Sequence, residues 1–120
     1  MPKILPLTLC LPWPGTALSG HAKGNWRGKA DDTRKARNAA HWIALEAKLP
    51  RLPTASLTFT YHPPARGGLP DVQNMPGRCK AYIDGIAAAM GCDDAKFRTR
   101  FPDHLAARDG AGRVLVEVSE

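Results

Sequence analysis

Apolar and polar positions change period several times along the chain, and each change marks an element. Lys3 to Leu11 is an apolar run containing a β-branched residue. Pro12-Trp13-Pro14-Gly15 ends it, which predicts a first strand, and Pro6 within the run places that strand at an edge or a bulge. Residues 15–30 are Gly-rich and polar and read as a loop. Asp31, Asp32 and Thr33 then offer caps and negative charge to a helix over 33–48. Ala36, Ala40, Ile43, Leu45 and Ala47 form its apolar stripe, and Pro50 lies past its end.

Ser56 to His62 alternates strictly. Leu57, Phe59 and Tyr61 share one face, opposite Ser56, Thr58, Thr60 and His62, as in a half-buried strand. After a Pro/Gly-rich loop, Cys79, Tyr82, Ile83, Ile86 and Met90 recur at helical spacing. They predict a helix over 78–90 with Gly91 at its C′ position. Lys96–Phe101 and Arg113–Val118 read as two final strands. The order is β-α-β-α-β-β, and no internal repeat is visible. We expect a single α+β domain over 1–120, in two layers: a small mixed or antiparallel sheet with two helices on one face.

Length and composition narrow the class. A chain of 120 residues with 43% hydrophobic and 23% charged residues is an ordinary globular domain with one core. Its 17 Lys and Arg against 11 Asp and Glu give a net charge of +6. Such a surface favours polyanions, because each cation set against a phosphate releases condensed counterions. Six of these cations, Lys23, Arg27, Lys29, Arg34, Lys35 and Arg37, lie within residues 23–37 beside Trp26. Cations flanking an aromatic can grip phosphates and stack on an unpaired base. We assign Lys23, Trp26, Arg27, Lys29, Arg34 and Lys35 to nucleic-acid binding and leave Arg37 as a solvated helix position.

Cys10, Cys79 and Cys92 are odd in number and lack Cys-x-x-Cys spacing, so reduced thiols in a cytoplasmic protein are expected. The opening segment is short and interrupted by Pro6, Pro12 and Pro14, so no signal peptide, membrane span or membrane partner is expected. No phosphate-cradling glycine loop occurs, and no small-molecule cofactor is expected. His21, His41, His62 and His104 are scattered, and Ser19 and Thr16 have no nearby base.

The chemically informative stretch is 69–97. It holds Asp71 in a loop, Lys80 and Asp84 on the second helix, and Asp93-Asp94 just after it. Phosphodiester hydrolysis uses hard oxygen ligands for magnesium or manganese, and a lysine can stabilise charge on the attacked phosphate. Taken alone, an Asp after a proline or a pair of Asp after a helix is common in turns.

The arrangement resembles the RusA family of Holliday junction resolvases. Leu11-Pro12-Trp13-Pro14 corresponds to the family's Leu-Pro element at the end of the first strand. Asp71-Val72-Gln73-Asn74 matches its first acidic block, Lys80 and Asp84 its helix, and Gly91-Cys92-Asp93-Asp94 its close. The likeness covers nearly the whole chain and is strongest over 69–97.

The resemblance implies a homodimeric, magnesium-dependent endodeoxyribonuclease, with manganese as a substitute, of bacterial or phage origin. It would bind four-way or branched DNA and nick paired strands of like polarity in recombination or repair. Asp71, Asp94 and Lys80 would be catalytic, and Asp71, Gln73, Asp93 and Asp94 would hold the metal.

Three departures stand out. Gln73 replaces a family carboxylate, which lowers the negative charge of the site. Pro76-Gly77-Arg78 reads as an insertion before Lys80, and Ala65-Arg66-Gly67-Gly68 replaces an Arg-rich run. A relative that binds branched DNA without cutting it is therefore the alternative, and a small basic RNA-associated protein is a more distant one. A straight helix of about 13 residues is roughly 20 Å long. Asp71 and Asp94 are thus expected at its opposite ends, sharing a metal only if the loop folds back or two subunits combine.

Overall fold

The computed structural model describes residues 5–15 and 26–120, with side-chain surroundings in the second stretch from Ala30 onward. Strand β1 is Leu7–Pro12, helix α1 Trp26–Glu46 and strand β2 Ser56–His62. A short helical turn α2 at Met75–Arg78 leads into α3 at Lys80–Met90, followed by β3 at Arg98–Arg100 and β4 at Arg113–Ser119. The expected α+β class holds, with three helical segments beside a four-stranded mixed sheet ordered β1-β4-β2-β3.

The register explains why the alternating strands fold this way. Val116 stands opposite both Leu9 and Phe59, and Val114 opposite both Leu11 and Tyr61. Val118 faces Leu57 in the same ladder. One face of the sheet is therefore an unbroken buried apolar surface. A register slip of one residue would turn this whole set to solvent. Ala36, Ala40 and Ala44 of α1 and Ile83, Ile86 and Met90 of α3 complete the same core. Strand β1 lies at an edge, as Pro6 implied, and β3 runs parallel to β2 at the opposite edge.

Several boundaries move. Helix α1 begins at Trp26, not at Thr33, so Asp31, Asp32 and Thr33 lie within it and do not cap it. Asp31 instead pairs one turn along with Arg34, at 2.7 Å, which supports helix from inside. Trp26, Arg27 and Lys29 belong to this helix and not to a loop, but their side chains, and Lys23 entirely, lie outside the described residues. Leu45 and Trp42 are exposed, and Ala44 takes the core position instead. The helix also ends two residues early, and Lys48 follows it in the left-handed region at φ 57°. The third strand keeps only Arg98–Arg100.

Gly85 and Tyr82 set how α3 packs. A Cβ on Gly85 would lie 2.3 Å from the Arg37 carbonyl oxygen, so only glycine lets α3 lie this close to α1. The Tyr82 hydroxyl donates to the Pro12 carbonyl at 2.6 Å, pinning the end of β1 against α3. Among the described residues no helix is long and apolar enough to cross a membrane.

Candidate active site

The site is built by a reversal of the chain at the end of α3. Gly91 takes φ 70°, a left-handed conformation that glycine adopts without penalty. The Cys92 N–H donates to the Ala87 carbonyl at 3.1 Å and the Gly91 N–H to Ala88 at 3.3 Å, the paired bonds of a Schellman turn. The Asp93 carboxylate then accepts from the Ala95 N–H at 3.0 Å and caps a 3-10 turn over Asp94–Lys96. Phe97 drops into the core and the Arg98 N–H donates to the Ala55 carbonyl at 2.9 Å, fixing the returning strand.

Between these two anchors Asp94 is carried back alongside the helix. Its Oδ2 accepts a hydrogen bond from Lys80 Nζ, which also donates to Asp84 Oδ1 at 3.0 Å. The contact joins Asp94 to Lys80 and not to Asp71. The Schellman turn reverses the chain, and the long Lys80 side chain spans the remaining gap.

The electrostatics follow from this contact. The bond to Asp94, with that to Asp84, pushes the Lys80 ammonium above its ordinary range. Lys80 in turn holds the Asp94 carboxyl below the usual carboxylate range, and Asp84 and Asp93 add to the effect. Both partners are substantially exposed, so the pair is screened and adds little to stability. Its interest is positional. Arg37, Asp84, Asp93 and Asp94 line one open groove of about 410 Å3, floored by Ala87 and Ala88.

Asp71 and Gln73 are placed differently. Asp71 Oδ1 accepts from the Gln73 N–H at 3.0 Å and caps a 3-10 turn over Val72–Asn74. Both side chains are exposed, and no hydrogen bond or ion pair joins Asp71 to the Lys80 group among the described residues. No three His, Cys, Asp or Glu side chains gather in metal-binding geometry among those residues. Lys35 and Arg34 are exposed on α1, with Arg34 engaged by Asp31.

Two residues of the groove carried no site assignment in the sequence. Asp84 was visible four residues after Lys80, the spacing at which helical side chains meet. Arg37 reads as an ordinary helix cation, and only the close α1–α3 approach over Gly85 brings it to the carboxylates.

No family model matches the chain. It is similar to an uncharacterized protein of Xylella fastidiosa, 36% identical over an alignment of 120 residues that covers 93% of this chain and 75% of the relative. Identity of this extent over nearly the whole chain means that the chain belongs to the same family as that Xylella fastidiosa protein.

Proposed function

We propose that the chain is a structure-selective endodeoxyribonuclease of RusA type that cuts branched DNA with the help of magnesium. The observation that carries this reading is the contact between Lys80 and Asp94. Two residues to which the resemblance gives catalytic roles are far apart in sequence, yet they touch, and Asp94 lines an open groove together with Asp84, Asp93 and Arg37. A buried position would be closed to a phosphate, whereas both of these side chains are substantially exposed.

The donor set suits a hard cation. Magnesium keeps several waters and is commonly held by one or two carboxylates together with substrate phosphates. Asp93 and Asp94 would hold it here, with Asp71 and Gln73 as further oxygen donors brought by loop or partner subunit. Manganese would substitute. Bound there, the ion supplies neutralisation of phosphate charge and an activated water. The Lys80 ammonium is placed to stabilise charge developing on the attacked phosphate. Arg37 adds a cation to the groove lining, and Arg98 and Arg100 are exposed on β3. Lys23, Trp26, Arg27, Lys29, Arg34 and Lys35 remain the proposed DNA contacts outside the groove. Exposed Trp42 and Leu45 on α1 support a homodimer, since exposed large apolar groups are enriched where subunits meet.

A second reading, junction binding without cleavage, is favoured by the neutral Gln73 and by the absence of a three-carboxylate cluster among the described residues. Metal titration with an end-labelled four-way junction separates the two. Nicks that depend on magnesium support the nuclease; a shifted band without nicks at any metal concentration supports the binder.

A further inference from the structure

Arg78 is 8% exposed, a buried charged side chain between Gly77 and Cys79. Among the described residues its Nε has no hydrogen-bond partner, and Nη1 reaches only the Met75 sulfur at 3.9 Å, a weak acceptor. No carboxylate pairs with it among the described residues. Arginine does not escape this situation by losing its proton, so the guanidinium keeps its charge with no anionic partner among the described residues. It borders a cavity of about 300 Å3, lined also by Trp13, Pro64, Gly68, Leu69 and Pro70. None of these is acidic. The cavity is thus a planar fork of donors set in an apolar wall, next to a half-buried indole.

We infer that this cavity binds one phosphate-bearing nucleotide, its phosphate on Arg78 and its base against Trp13. The guanidinium fork matches phosphate geometry and favours it over a point-like anion. An indole among prolines offers the flat apolar surface on which a base stacks, whatever its identity. A cavity of this size is at the small end for ligand sites and suits a single nucleotide. Its wall ends at Pro70, immediately before Asp71 in the chain. The choice of a nucleic-acid strand as the source of the nucleotide rests on the proposed function; the need of Arg78 for an anion does not.

The test is a titration of the metal-free, arginine-labelled protein with thymidine 5′-monophosphate, thymidine and inorganic phosphate, following the Arg78 Nε–H resonance. The monophosphate should shift that resonance saturably, thymidine should not, and inorganic phosphate should bind more weakly than the monophosphate. Arg78→Met should weaken monophosphate binding at least about tenfold, as loss of one charge-assisted bond implies. Trp13→Leu should weaken it while leaving the response to inorganic phosphate intact. An Arg78 resonance that does not move with the monophosphate overturns the inference, and that readout needs no variant to fold. Equal response to inorganic phosphate and the monophosphate overturns the nucleotide assignment. Junction cleavage by a protein whose Arg78 ignores the nucleotide would defeat this pocket and leave the nuclease reading standing.

Discussion

Lys80 of α3 and Asp94 beyond its end are 14 residues apart in sequence and share a hydrogen bond. The contact exists because Gly91 ends the helix in a left-handed turn and Phe97 anchors the returning chain. Lys80 donates to two carboxylates, which direct its ammonium towards Asp84 and Asp94. Lys80→Met should lower the cleavage rate on a four-way junction by about 100-fold or more, the range for a lost charge stabiliser. Junction affinity should change little, since one exposed cation among many is removed. A Lys80→Met protein cutting at the wild-type rate would remove Lys80 from the chemistry.

The glycine at position 85 sets how closely α1 and α3 approach. Its added Cβ would meet the Arg37 carbonyl oxygen at 2.3 Å and the Ala40 Cβ at 3.0 Å. Neither backbone nor a buried methyl can swing aside. Gly85→Ala should therefore cost roughly 2–3 kcal/mol, as for other overpacked cores. Urea unfolding followed by far-ultraviolet circular dichroism measures this. An unchanged midpoint would mean that the helices part freely.

Gln73 is exposed beside Asp71 and lends the site only a neutral amide. Gln73→Asp restores a charged oxygen ligand, and manganese affinity measured by calorimetry should rise, with cleavage following. Unaltered affinity would show that position 73 is no ligand.

Burial under the site makes the fold sensitive to alkali. Desolvation pushes the Cys79 thiol up to about 12, against an ordinary value of 9.0, and raises the Tyr61 and Tyr82 phenols as well. A group whose pKa is raised on folding stabilises fully below its unfolded value and loses that contribution as pH climbs towards the folded one. Stability should accordingly fall from about pH 9 upward, by up to about 1.4 kcal/mol per pH unit for each such group. Melting temperatures between pH 7 and pH 11 check the sign. In the same window exposed Cys10 should alkylate readily while Cys79 stays protected until the protein unfolds.

Strands β1, β2 and β4 were legible because each apolar face repeats every second residue, and Leu9, Phe59 and Val116 need only register to meet. Strand β3, all exposed, carries no such face and kept only three residues of its expected span. The second helix was legible from its stripe and from Gly91. The start of α1 was not, because Asp31-Asp32-Thr33 looks like a cap while acting as an internal ion-pairing turn with Arg34. Lys80, Asp93 and Asp94 could be chosen from sequence, but their meeting could not. It depends on how far the chain returns after Gly91 and on the burial of Phe97, which no local spacing signals. Arg78 was the least visible. A cation between glycine and cysteine suggests surface, and only the packing of the Trp13 and Pro64–Pro70 segments around it reveals a buried charge.

The nuclease proposal meets its most direct test in a magnesium-dependent assay on an end-labelled four-way junction, with wild-type and Asp94→Asn proteins side by side. The wild type should introduce nicks in two strands of like polarity, while Asp94→Asn should bind the junction with similar affinity and leave it whole. Wild-type cutting by Asp94→Asn, or an intact junction after saturation with the native protein and magnesium, would contradict the account.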